Sequence, residues 1–160
     1  HRAAMNHAIL DRDGTVMQFV GDAVMACFGA PVPQPDHADR AVAAAVAMIH
    51  AQADLDVRWA AAGRPAFGLG IGLSTGPVAA ALLGSEERLE YTLVGDTVNL
   101  SQRLQDLARP AGRVVLGEST YRALSAPPPG CTPLGEHLVK GRQTPVSAYV
   151  IDCTPAGATP

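Results

Sequence analysis

One run, Tyr91-Thr92-Leu93-Val94-Gly95-Asp96-Thr97-Val98-Asn99-Leu100-Ser101-Gln102-Arg103-Leu104, constrains the fold more than any other part of the 160-residue chain. An apolar strand enters a Gly-Asp turn, and a helix opens directly after it. Asp96 is the expected N-cap, its carboxylate accepting from the free amides of the first turn. Leu100, Leu104 and Leu107 recur at i, i+4 and i+7 and form one buried helix face. Asn99 and Arg103 are also four apart, on a neighbouring face. A polar pair beside an apolar stripe, at the open end of a strand, suits a polyanionic ligand. Arg brings a fixed fork of donors and Asn a neutral donor or acceptor. Taken alone, the pair is more simply read as the solvated side of a surface helix.

Patterning organises the rest around this unit. Residues 1–11 read as a helix closed by the Asp13-Gly14 turn. Residues 15–20 and 23–28 read as strands around Gly21-Asp22, a β-hairpin. A loop with three prolines follows. Asp36 is the expected N-cap of a helix reaching about residue 60, with Ala38, Val42, Ala45, Ile49 and Gln52 at helical spacing. Residues 67–74 read as a strand with glycines at 68, 70 and 72, which permit close backbone approach. No helix opens after them, so this is not the dinucleotide fingerprint. Strands at 77–83 and 112–116, a charged turn at 86–88, a short helix at 118–124, and strands near 133–139 and 146–151 complete the order. The order predicts an α+β fold, with helices packed on a mostly antiparallel sheet. The folded domain is expected over 1–152, with a flexible tail over 153–160.

Composition excludes several functions. The net charge is −3 and there is no basic run, which argues against nucleic acid as a partner. No apolar stretch approaches the roughly 18 residues of a membrane span. Cys27, Cys131 and Cys153 are odd in number and lack metal-type spacing, so they read as reduced thiols of a cytoplasmic protein. Of twelve basic residues only Lys140 is a lysine, and its place in Val139-Lys140-Gly141 makes it a candidate phosphate contact. Asp22 is open to two readings: a turn residue without chemistry, or a strand-end carboxylate of the kind that contacts Mg²⁺.

Five ordered motifs together resemble the catalytic domain of the class III nucleotidyl cyclases, the adenylyl/guanylyl cyclase family. Gln18-Phe19-Val20-Gly21-Asp22-Ala23-Val24-Met25-Ala26-Cys27-Phe28-Gly29-Ala30-Pro31 looks like its metal-binding hairpin. Asp36-His37-Ala38-Asp39-Arg40-Ala41-Val42 looks like the start of the next helix. Gly70-Ile71-Gly72-Leu73-Ser74-Thr75-Gly76 matches a central strand, Gly95 through Arg103 the transition-state helix, and Lys140-Gly141 the phosphate-binding lysine. The resemblance covers about residues 5–151.

It implies a ferredoxin-like βαββαβ core with extra strands, and a head-to-tail homodimer with active sites at the interface. It implies conversion of ATP to 3′,5′-cyclic AMP and pyrophosphate, with two Mg²⁺ or Mn²⁺ ions. Asp22 would bind metal, Asn99 would orient the ribose, Arg103 would stabilise charge on the α-phosphate, and Lys140 would hold the terminal phosphates. Gln18 and Thr92 would face the base. They stand where adenylyl cyclases usually have Lys and Asp, although Thr is familiar in one bacterial branch. Both read either purine by chemistry, so GTP is the alternative substrate. The family's other metal aspartate lies on a strand several dozen residues before the hairpin, which would fall before His1. The piece as given is therefore expected to be inactive by itself, within a longer parent chain that carries regulatory or membrane domains. A catalytically dead nucleotide-binding or dimerising module is the reading from another class.

Overall fold

A computed structural model describes residues 1–85, 88–141 and 143–153. From residue 154 the expected tail lies outside the described residues, as do Glu86 and Glu87 of the expected charged turn. The elements run α1 (Arg2–Leu10), β1 (Thr15–Val20), β2 (Ala23–Cys27), α2 (His37–Ala61), β3 (Gly70–Leu73), β4 (Ala79–Ser85), β5 (Arg88–Val94), α3 (Asp96–Asp106), β6 (Arg113–Gly117), α4 (Glu118–Ala123), β7 (Cys131–His137) and β8 (Val146–Asp152).

The core is built on β6. Val114, Val115 and Leu116 are three consecutive apolar residues with no exposure, so this strand is covered on both faces. It pairs in parallel with β3 and antiparallel with β8, and β7 closes the order β3-β6-β8-β7. Side-chain alternation splits the two faces. Val114, Leu116 and Ile151 meet Val42, Ala45 and Ile49 of α2. Val115 and Ala148 meet Leu104 and Ala108, at and beyond the end of α3. A sheet with α2 on one face and α3 on the other is thus the frame of the molecule. Burying Leu104 completely contributes roughly 1.5–3 kcal/mol to it.

Two hairpins stand beside this sheet. β1–β2 rests on a cluster of Met5, Ile9 and Met48, which also touches Ile71 of β3. β4–β5 forms its own antiparallel pair. The expected α+β class, with helices on mostly antiparallel strands, is what the structure shows. The strands fall into three sheets among the described residues, with β3–β6 as the parallel pair.

Local details correct the expected caps. Gly95, at φ +140°, occupies the N-cap of α3, and Asp96 is the first helical residue. Its charge still favours the N-terminal end of the helix dipole. Asp36 does stand at the N-cap of α2 but makes no side-chain cap bond. Its carboxylate accepts instead from Arg40 at 2.8 Å, which holds it below the usual carboxylate range.

Candidate active site

The hairpin places Gln18 and Asp22. A glycine at φ +62° makes the two-residue turn, a conformation glycine adopts without penalty. Asp22 follows it, exposed at the hairpin tip. One strand is irregular: Val16 pairs with Ala26 but Gln18 pairs with Met25, so a bulge falls at Met17. Bulges re-aim the side chains that follow them. Gln18 is exposed just beyond it.

The seat of α3 places Asn99 and Arg103. A Cβ on Gly72 would lie 2.2 Å from the Ser101 carbonyl oxygen and 2.3 Å from the Gln105 backbone nitrogen. No side chain fits there, so the glycine lets helix backbone rest directly on strand backbone. Thr97 Oγ1 adds a hydrogen bond to the Pro77 carbonyl at 2.8 Å. With Leu104 buried against the sheet, Asn99 is exposed and Arg103 half-exposed, one turn apart. Arg103 pairs with Asp106 at 3.6 Å. Such an exposed ion pair is worth at most about 1 kcal/mol, so a phosphate can replace it.

Thr92 is half-buried on β5, opposite Ala81. Lys140 is exposed between β7 and β8, following buried Val139 and preceding Gly141 at φ +90°. β1 lies against β5, and α3 adjoins β5, so the elements bearing Gln18, Thr92, Asn99 and Arg103 are contiguous. No hydrogen bond or ion pair among the described residues joins one of the six residues to another. A cleft of about 620 Å³ opens beside the first turns of α3 and α4, lined by Thr75, Asp96, Thr97, Glu118 and Glu136 among others. None of the six lines it, and its carboxylates suit a polyphosphate poorly. Of the six, Gln18, Asp22, Asn99 and Lys140 are exposed, Arg103 is half-exposed and Thr92 half-buried.

Metal binding was expected at Asp22. Among the described residues no three His, Cys, Asp or Glu converge to hold an ion. Asp22 offers one hard, exposed carboxylate. Mg²⁺ is commonly held through one or two carboxylates plus substrate phosphates and water, so the donor chemistry fits one ligand of such an ion. Burial pushes the Cys27, Cys131 and Cys153 thiols up, away from the thiolate. His37 is engaged with the Gln34 carbonyl at 3.1 Å, and His50 is solvated. Helical spacing marked Gln52 but gave no sign of its partners: it bonds His1 at 2.6 Å and Asp56 at 2.7 Å.

Residues 1–153 match the family model described as the adenylate and guanylate cyclase catalytic domain. The chain belongs to that family. Adenylate cyclase 1 of Rhizobium meliloti (strain 1021) is 34% identical over 146 residues, covering 91% of this chain and 22% of the relative. The chain spans about a quarter of the length of the curated relatives it matches. Among solved cyclases, the adenylyl cyclase CyaB from P. aeruginosa superposes with a TM-score of 0.86 at 31% identity, covering 94% of this chain and 77% of that one. The guanylyl cyclase Cya2 superposes with a TM-score of 0.85 at 30% identity, covering 98% and 79%. An adenylyl and a guanylyl cyclase are thus equally similar in fold, and base preference has to be argued from side chains.

Proposed function

We propose that this cyclase domain converts ATP to 3′,5′-cyclic AMP and pyrophosphate at a site shared between two copies. The observation that carries the reading is the seat of α3. Close packing at Gly72 holds the helix rigidly, with Asn99 and Arg103 turned outward one turn apart. Donors already in place cost no reorganisation when charge develops, which makes them effective at a phosphoryl transition state.

In this reading the ribose 3′-oxygen attacks the α-phosphorus in line. The new O3′–P bond forms as the bond to pyrophosphate breaks, and the hydroxyl proton passes to solvent. Asn99 orients the ribose. Arg103 leaves Asp106 and pairs with the α-phosphate oxygens. Lys140 holds the terminal phosphates as a flexible point charge. Asp22 contributes one ligand to the Mg²⁺ or Mn²⁺ ions, which when bound lower the hydroxyl pKa and offset phosphate charge. The location is proposed to be cytoplasmic, where nucleoside triphosphates are found. Among the described residues no helix is long and apolar enough to cross a membrane.

GTP is the second reading. Gln18 offers an amide and Thr92 a hydroxyl, and each can donate or accept, so this pair does not reject guanine. Assay of a natural protein containing this domain, with Mn²⁺ and either nucleotide, separates the cases, the piece alone being expected to give no product. Cyclic AMP from ATP and no product from GTP is expected. Comparable turnover of both makes it a dual-specificity enzyme. Nucleotide binding without product from either reduces it to a binding module.

A further inference from the structure

The Gly21–Asp22 turn is tied to the body of the molecule by a relay of side chains. His1 Nε2 lies 3.1 Å from the Asp22 carbonyl oxygen. The other ring nitrogen is 2.6 Å from Gln52 Oε1; both partners accept, so the ring bonds both only with an N–H on each nitrogen, as the imidazolium. Gln52 is 2% exposed, and its amide nitrogen donates to Asp56 Oδ1 at 2.7 Å, which fixes the end of the amide that faces His1. Asp56 Oδ1 also accepts from the Phe67 backbone N–H at 2.9 Å. The His1 ring meets Phe67 edge-on, centroids 4.9 Å apart. Arg2 adds a second tie, donating to the Gly21 carbonyl while its guanidinium lies 5.3 Å from the Phe19 ring centroid.

A two-residue turn with glycine at positive φ closes by its own geometry and does not require such ties. A buried amide is costly unless both its ends are bonded, so placing Gln52 here constrains the core as well. What the relay achieves is to fix the peptide plane at Asp22, and with it the direction in which that side chain leaves the turn.

We propose that His1 and Gln52, with Asp56 behind them, are positioning residues that aim the Asp22 carboxylate and so set how strongly the hairpin holds a divalent cation. The inference rests on the role proposed above for Asp22. These residues touch neither substrate nor metal and act through the backbone of the ligand residue.

Gln52→Met removes both amide hydrogen bonds with little change in length and none in charge. Two readouts are independent of turnover: ¹⁵N order parameters of the Gly21, Asp22 and Ala23 amides, and broadening of the Asp22 resonance during a Mn²⁺ titration. The third readout is the Mn²⁺ concentration for half-maximal cyclisation. The variant should drop the turn amides from the rigid range, about 0.85, towards 0.6. Both Mn²⁺ midpoints should rise roughly tenfold, the low end for groups that orient a metal ligand, with kcat at saturating Mn²⁺ retained. His1→Ala should act alike and leaves the core packing intact, which covers a failure of Gln52→Met to fold. Val42→Ala, on the sheet-facing side of the same helix, should lower Tm without moving either Mn²⁺ midpoint. Unchanged turn order overturns the proposal, and so does lost order with unmoved Mn²⁺ midpoints, since the relay is then structural only. If a natural protein containing the domain cyclises neither nucleotide, the proposed function fails, and the Mn²⁺ broadening still decides the positioning role.

Discussion

Arg103 leaves the exposed side of α3 one turn beyond Asn99, with the Asp106 carboxylate 3.6 Å away as its ion-pair partner among the described residues. A donor fork in that position can serve the ground state or the transition state, and kinetics separate the two. Arg103→Ala should lower kcat by roughly 10²–10³-fold with KM for ATP little changed, the loss expected when one preorganised donor to developing charge is removed. A raised KM with unchanged kcat would make it a ground-state binding residue instead. Steady-state kinetics at saturating Mn²⁺ decide it. At this scale Asp22, Asn99, Arg103 and Lys140 stood out as candidates because each sits in a short local motif, a turn glycine before Asp22, helical spacing for Asn99 and Arg103, a glycine after Lys140, whereas Gln18 and Thr92 were singled out by the family resemblance alone. The His1–Gln52–Asp22 tie was not legible. Its partners are 51 and 21 residues apart, and nothing local to His1 or Gln52 marks a long-range hydrogen bond.

The helix α3 and the strand β3 form one functional element, because the helix cannot be placed without the glycines beneath it. A Cβ on Gly72 meets backbone atoms on α3 at 2.2 and 2.3 Å, and backbone cannot rotate aside as a side chain can. Gly72→Ala should therefore lift α3 from the sheet and lower stability by about 1–3 kcal/mol or more, the range for overpacking a filled core. It should also lower kcat by displacing Asn99 and Arg103. Urea midpoints together with kcat check it, and a stable, fully active variant would show that the seat tolerates a methyl group. The spacing of glycines in Gly70-Ile71-Gly72 announced close backbone approach. Cap residues were harder to place. Asp96 looked like the N-cap, but the chain needs a positive φ to leave β5, so Gly95 takes that place and Asp96 moves one position into the helix. Strand partners were legible only for hairpins. The parallel β3–β6 pairing joins segments some forty residues apart, and sequence periodicity carries no record of such a pairing.

For the molecule as a whole, the decisive fact is that Gln18, Asp22, Asn99 and Lys140 are exposed and that none of the six candidates lines the cleft beside α3 and α4. Apolar side chains stand exposed beside them: Val20 at 63% just before the Asp22 turn, and Val94 at 40% between Thr92 and Asp96. Exposed apolar residues interleaved with polar ones suit a surface that another copy covers. A two-fold pairing that sets the hairpin of one copy against α3 of the other would complete two equivalent sites from complementary halves. Asp22→Ala and Arg103→Ala would each then inactivate both sites of their own homodimer. In a mixed dimer one site carries both lesions and the other carries none. Random exchange of equal amounts makes half the dimers mixed, so activity should recover to about a quarter of the wild-type level. The measurement is cyclase activity of the two variants before and after mixing, with sedimentation velocity to establish that mixed dimers form. Activity equal to the sum of the separate variants, in a sample shown to contain mixed dimers, would place Asp22 and Arg103 in the same copy's site and exclude the shared arrangement.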